Sequence, residues 1–435
     1  NSVPTVAFFL QEQLDRTEIN KVHRALWNHG LSNLLLVILP DEIRAYSLVQ
    51  KPVPEDLTGL NSKDHRLIET FSLVADSLKV SQLIAGIESG RYFQDNRQCF
   101  SEKNRIDSVL LSNLRETETL LVGKNLSSEA AQALLLQITF IAYLEDRKII
   151  DVDYFKRAIG SNNILSLEDL LDSGNPKYLK ILFKRLHKDF NGDMFFAPCS
   201  FVASKSTPII LPEQIKCLAV FRHGLVEMDT GQKRFWPYNF RYIPVELISA
   251  IYDRFLADSE LRRDTGAYYT PRCLADLTIN QIWDELPLEV RTMPDFNVLD
   301  PACGSAIFLV RIFQRMEEDW RRQHPKNKPG WDVLSSFVLR LHGWDNQQNA
   351  VRIGIFSLYI ALLEEVEPSA IQALFEEGKI LPKLFGITMC DYDFFNEDTP
   401  DKKFDLIIGN PPWVSRKKDN VASAINWCSL HDLPM

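Results

Sequence analysis

Val298-Leu299-Asp300-Pro301-Ala302-Cys303-Gly304-Ser305-Ala306-Ile307-Phe308-Leu309 reads as an apolar strand, a turn of small residues and the start of a helix. Working outward from it, strands are expected at residues 296–299, 339–344, 385–390 and 404–408, and helices at 306–321 and 348–365. Strands alternating with helices of this length make a parallel, doubly wound α/β sheet, and such sheets take ligands at the carboxyl ends of their strands. A Rossmann-like fold is therefore expected over residues 243–435.

Upstream the pattern changes. Residues 1–55 read as a small α/β unit, with an apolar run from Thr5 to Leu10, a helix from Arg16 to His29, and strands at 33–39 and 42–49 about a Pro40-Asp41 turn. Residues 56–195 read as an all-helical domain. In its stretch Glu129 to Lys148, Leu134, Ile138, Ile141 and Leu144 recur at three- and four-residue spacing. Residues 196–242, which include Phe235-Trp236-Pro237-Tyr238, read as a connector that packs rather than a free linker.

The chain's 435 residues exceed what one core organises, and 45% hydrophobic with 25% charged residues leaves no compositional case for disorder. No run approaches the roughly eighteen apolar residues of a membrane span, and the N-terminus lacks a signal peptide's layout, so a cytoplasmic protein is expected. Seven scattered cysteines without a C-x-x-C pair indicate neither a disulfide framework nor a zinc site. A net charge of -9 argues against a broadly basic surface, so phosphate contacts would fall on a local cluster such as Arg416-Lys417-Lys418 or on another domain. His23 and His29 read as packing or surface residues.

Three acids follow three strands. Asp300 stands where an acid can pair with a ligand's ammonium, beside small residues that admit a close backbone approach. Asp345, in Gly343-Trp344-Asp345-Asn346, could accept from both hydroxyls of a ribose, although a helix cap is the ordinary alternative. Asp391 could receive an adenine amine while Tyr392 packs on the ring; a surface-loop acid is its plainer reading.

After the fourth strand comes Asn410-Pro411-Pro412-Trp413. The amine of adenine is a poor nucleophile because its lone pair is delocalised into the ring. Two acceptors, the Asn410 side-chain oxygen and the Pro411 carbonyl, could take both amine hydrogens and draw the nitrogen towards tetrahedral geometry. The two prolines hold the backbone extended, and Trp413 offers a face for an extruded base. Taken alone, the tetrapeptide could also be an Asn-Pro turn, the less favoured of the two readings.

Together these segments closely resemble the gamma-class adenine-specific DNA methyltransferases of restriction-modification systems. Thr265-Gly266-Ala267-Tyr268-Tyr269-Thr270-Pro271 matches the segment that in this family precedes the first strand and helps hold the methionine moiety. The resemblance implies S-adenosylmethionine as cofactor, held by Thr270, Pro271, Asp300, Pro301, Ala302, Gly304, Asp345, Asn346, Asp391 and Tyr392, with Asn410, Pro411, Pro412 and Trp413 on the target base and no metal. It implies double-stranded DNA as substrate, with a restriction endonuclease or specificity subunit as further partner. Ala306 departs from the family loop, which usually has glycine there.

The segments Phe140 to Arg147 and Ile243 to Ile248 resemble the scaffold that precedes the catalytic domain in large restriction-modification methyltransferases, including fused type IIG enzymes. Those often begin with a metal-dependent nuclease, but the first 120 residues contain no Glu-x-Lys or Asp-x-Lys, so no nuclease activity is expected. Because so little follows Trp413, the chain is expected to be the N-terminal and cofactor-binding portion of such an enzyme, inactive on its own. Two alternatives stand: a methyltransferase-fold scaffold or specificity subunit without turnover, and an RNA or protein amide N-methyltransferase.

Overall fold

Leu34-Leu35-Leu36-Val37 has no polar residue to turn towards water, and the strand that contains it is covered on both faces. This is seen in a computed structural model of the chain, which describes residues 5–53, 64–190, 210–224, 236–257, 270–376, 380–395, 402–411 and 422–431. The chain forms two compact units, one of Asn1–Thr117 with Cys217–Leu247 and one of Glu118–Lys216 with Ile248–Met435.

The first unit is built on β1 (Thr5–Leu10), α1 (Arg16–His29), β2 (Ser32–Ile38), β3 (Glu42–Ser47) and β4 (Leu67–Ser72), paired in the order β1-β2-β3-β4. The β1-β2 pair is parallel, as the α1 crossover requires, and the other two pairs are antiparallel. Asp15 starts α1 by accepting from the N–H groups of Thr17 and Glu18, and Gly30 ends it at φ +72°. Leu35, Val37 and Tyr46 pack against Ile19 of α1; Leu34, Leu36, Ala45 and Phe71 pack on the other face with Leu83 from α2 (Ser77–Glu88). The strand β4 corrects the expectation of helices throughout 56–195. Its Glu69 and Thr70 are exposed, and this broke the apolar alternation that would have marked it.

His23 is wholly buried, its Nε2 donating to the Ser47 carbonyl at 2.9 Å. Desolvation holds its pKa down to about 3, so it serves as a neutral packing residue. Arg24 binds the carbonyls of Trp236, Pro237 and Tyr238, while Tyr238 stacks on Trp27 at 6.1 Å, so the aromatic segment packs on α1.

In the second unit, α3 (Ser128–Asp146) is buried without interruption from Ala133 to Leu144. The spacing of its leucines and isoleucines promised one apolar stripe; the helix is covered all round, because its other faces also find partners. Phe140 meets Phe356 edge-on at 5.5 Å, the Tyr143 hydroxyl donates to the Ile360 carbonyl, and the Tyr252 hydroxyl donates to Thr139 at 2.6 Å. Further along, α4 (Pro176–Phe190) ends where the carbonyls of Asp189 and Phe190 accept from Ile380 and Leu381.

After α5 (Arg272–Trp283) the chain enters a second sheet. It consists of β5 (Val298–Asp300), α6 (Ile307–Gln323), β6 (Leu341–Trp344), α7 (Gln348–Glu364), β7 (Met389–Cys390) and β8 (Leu406–Ile407). All three strand pairs are parallel, in the order β7-β6-β5-β8. From β5 the chain therefore builds outward through β6 to β7, then returns past β5 to lay β8 on its other side. The two directions part between β5 and β8, and it is at such a switch that an open parallel sheet leaves a crevice beyond its strand ends.

Candidate active site

The β5 tip is Asp300, 1% exposed, whose Oδ1 accepts the Ala302 N–H at 3.1 Å. On the other side of the switch the Ile408 N–H donates to the Leu299 carbonyl at 2.9 Å, which sets Gly409 beside the same carboxylate. There is no room for a side chain at 409, since its Cβ would run into Asp300 Oδ1 and press on Pro301. Burial pushes the Asp300 carboxyl up to about 8; the Ala302 N–H works against this and the charge of Asp345 adds to it.

Between β5 and α6 the chain turns through two left-handed residues, Gly304 at φ +51° and Ala306 at φ +64°. Ala306 thus stands in a conformation that glycine adopts without cost, which gives the departure from the family loop a local price of about 1–2 kcal/mol. The turn is tied to the neighbouring strand tip. Cys303 N–H donates to the Trp344 carbonyl at 2.8 Å, and Gly304 N–H donates to Asp345 Oδ2 at 3.1 Å. The Ser305 hydroxyl is buried in this turn and has no hydrogen-bond partner among the described residues.

Asp345 is half-buried, and its Oδ1 also accepts the Gln347 N–H at 2.9 Å. This bond closes a turn ahead of α7 and is not the helix cap weighed in the sequence, because Gln347 itself holds the cap position; it leaves the carboxylate fixed beside the loop, and Asn346 is exposed next to it. Asp391 is exposed after β7, its Oδ2 accepting from Gln348 at 3.4 Å. Tyr392 packs edge-on against Trp344 at 5.9 Å.

Asn410 lies three residues past the end of β8, and its Nδ2 donates to Thr270 Oγ1 at 3.1 Å. Thr270 is 7% exposed and precedes α5, whose first turn is closed by the Pro271 carbonyl accepting the N–H groups of Leu274 and Ala275. Pro411 is exposed. Pro412, Trp413, the Thr265 to Tyr269 stretch and Arg416-Lys417-Lys418 lie outside the described residues.

Three elements thus converge: the Asp300 to Ala306 turn, the Thr270 lead into α5 and the Gly409-Asn410 tip, with Asp345 braced against the first. Sequence reasoning missed Gly409, Ser305 and Gly343. At Gly343 a side chain would collide with Met389 and Cys303, so the glycine lets β6 lie close to its neighbours. A glycine just before an Asn-Pro strand end was the one available signal for the first.

Residues 245–431 match the family model described as N-6 DNA Methylase. The chain is 21% identical over 373 residues to the Type II restriction enzyme and methyltransferase RM.Eco57I of Escherichia coli, a match that covers 72% of this chain and 34% of that protein. It is 25% identical over 206 residues to the adenine-specific methyltransferase PglX of Streptomyces coelicolor, covering 38% of this chain and 16% of that one. The chain therefore spans about a third or less of the curated relatives it matches. Among solved structures, the type IIL restriction-modification enzyme MmeI in complex with DNA aligns with a TM-score of 0.47 at 16% identity, over 71% of this chain and 43% of that one.

Proposed function

We propose, from the premise that residues 245–431 are an N-6 DNA methylase domain of the restriction-modification kind, that this chain is the cofactor-binding and base-holding part of a DNA methyltransferase acting on the N6 amine of adenine. The observation that carries this reading is the meeting of Asp300 and the Gly409-Asn410 tip at the switch between β5 and β8.

The residues present fit S-adenosylmethionine. A left-handed turn allows close backbone approach, a buried Ser305 hydroxyl there has no partner among the described residues, and a fixed carboxylate at Asp345 suits a ribose diol. On this reading Thr270, Pro271, Asp300, Pro301, Ala302 and Gly304 surround the amino-acid end. Asp345 and Asn346 take the ribose, and Asp391 and Tyr392 the adenine. When bound, the cofactor supplies a methyl group on a cationic sulfur.

The chain's own work is on the substrate. The Asn410 oxygen and the Pro411 carbonyl accept the two amine hydrogens, localise the lone pair on nitrogen and stabilise the positive charge that develops there on methyl transfer. Trp413 supports the extruded base. Asp300 stays protonated while the site is empty at neutral pH and ionises when an ammonium arrives, because a nearby cation favours its charged form.

The test is to incubate a full-length enzyme carrying this chain with adenine-containing duplex DNA and cofactor labelled on its methyl group, then analyse the nucleosides. Label recovered as N6-methyladenine is the expected result. Label on another base, on RNA only or on protein amides would replace this reading with a different methyl acceptor. No transfer, despite cofactor binding, would favour a scaffold.

A further inference from the structure

The amide of Asn410 has two ends of opposite character. Turned one way it offers the substrate amine an acceptor; turned the other way it offers an N–H that can only repel it. In the structure the nitrogen end is engaged, Nδ2 donating to Thr270 Oγ1 at 3.1 Å, so the oxygen is the end directed away from Thr270. Thr270 is well suited to hold that orientation. It is 7% exposed, it is β-branched and so stiff at χ1, and it is anchored to the closed first turn of α5.

We propose that Thr270 is a positioning residue that fixes the amide of Asn410, so that the carbonyl oxygen and not the N–H group meets the substrate amine. The inference rests on Asn410 holding the base. It assigns Thr270 a task on the substrate side of the site, distinct from the cofactor contact that the family resemblance implies for its segment. The hydrogen bond also joins the lead into α5 to the catalytic tip, so the same residue touches both halves of the reaction.

The test uses a full-length enzyme carrying this chain, with Thr270→Val, Thr270→Ser and Asn410→Ala, measuring kcat and KM for DNA together with the cofactor Kd by calorimetry. Thr270→Val is nearly isosteric and removes the hydroxyl that accepts from Asn410 Nδ2, together with its own O–H donor. At saturating cofactor it should lower kcat about tenfold, as loss of one ordinary hydrogen bond does, and saturation separates that loss from any weakening of the cofactor contact made by the same residue. Thr270→Ser should restore kcat. If Thr270→Val proves unstable, Thr270→Ala carries the same expectation, with cofactor binding reporting that the site is folded. An unchanged kcat, or a weakened cofactor Kd with kcat intact at saturation, overturns the inference. Full activity in Asn410→Ala instead overturns the base-holding role itself, so the two failures are distinguishable.

Discussion

The carboxylate of Asp300 occupies the space where a side chain at Gly409 would begin. One residue ends β5 and the other follows β8, and their contact brings the turn between β5 and α6 and the Gly409-Asn410 tip to one place.

Gly409→Ala should therefore be costly. Its methyl group has to displace a buried carboxylate, and overpacking of this kind costs about 1–3 kcal/mol. Chemical denaturation should show that loss, and methyl transfer should fall further than stability, because Asn410 moves with its neighbour. An alanine variant as stable and active as the parent would mean that the two tips are not in contact.

Asp300 gives stability a pH dependence. Its carboxyl is raised from an ordinary value of 3.8 to about 8, so between those limits the folded chain binds more protons than the unfolded one. Stability from this group is complete below about pH 4 and is lost as pH rises through 8. Asp300→Asn keeps an oxygen for the Ala302 N–H and cannot ionise. Its stability relative to the parent should therefore improve steadily from pH 6 to pH 8.5. A constant difference across that range would place the Asp300 pKa near its ordinary value.

Asp345 is expected to act on the cofactor more than on the substrate. Asp345→Ala removes the acceptor for Gly304 and the proposed partner of the ribose, and should weaken cofactor binding about ten- to a hundredfold, the usual effect of hydrogen bonds to a charged group. Asp345→Asn retains an acceptor for the Gly304 N–H and should fall between. Calorimetric titration gives both values; parent-like affinity in the alanine variant would leave Asp345 only its part in the turn ahead of α7.

Much of this was legible in the chain's own pattern. The strands carrying Asp300, Asp345, Asp391 and Asn410 were placed to within a few residues, because each apolar run ends in a polar residue followed by a turn. What the pattern could not hold was adjacency. That β8 lies beside β5, although the chain visits β6 and β7 between them, is a matter of strand order, and only strand order puts Gly409 on Asp300. Likewise Thr270 and Asn410 are far apart in the chain, and their hydrogen bond has no local signature. β4 was missed because its two exposed polar residues hide the alternation, and α3 was misjudged because spacing reports one buried face and is silent about partners on the others.

The central claim is that the amide of Asn410 holds the adenine amine during transfer, and the rate of methyl transfer by Asn410→Ala at saturating cofactor tests it most directly. A drop of about a hundred- to a thousandfold in kcat is expected, in line with removal of one preorganised group from a transition state, with the cofactor Kd unchanged. Transfer at the parent rate would contradict it.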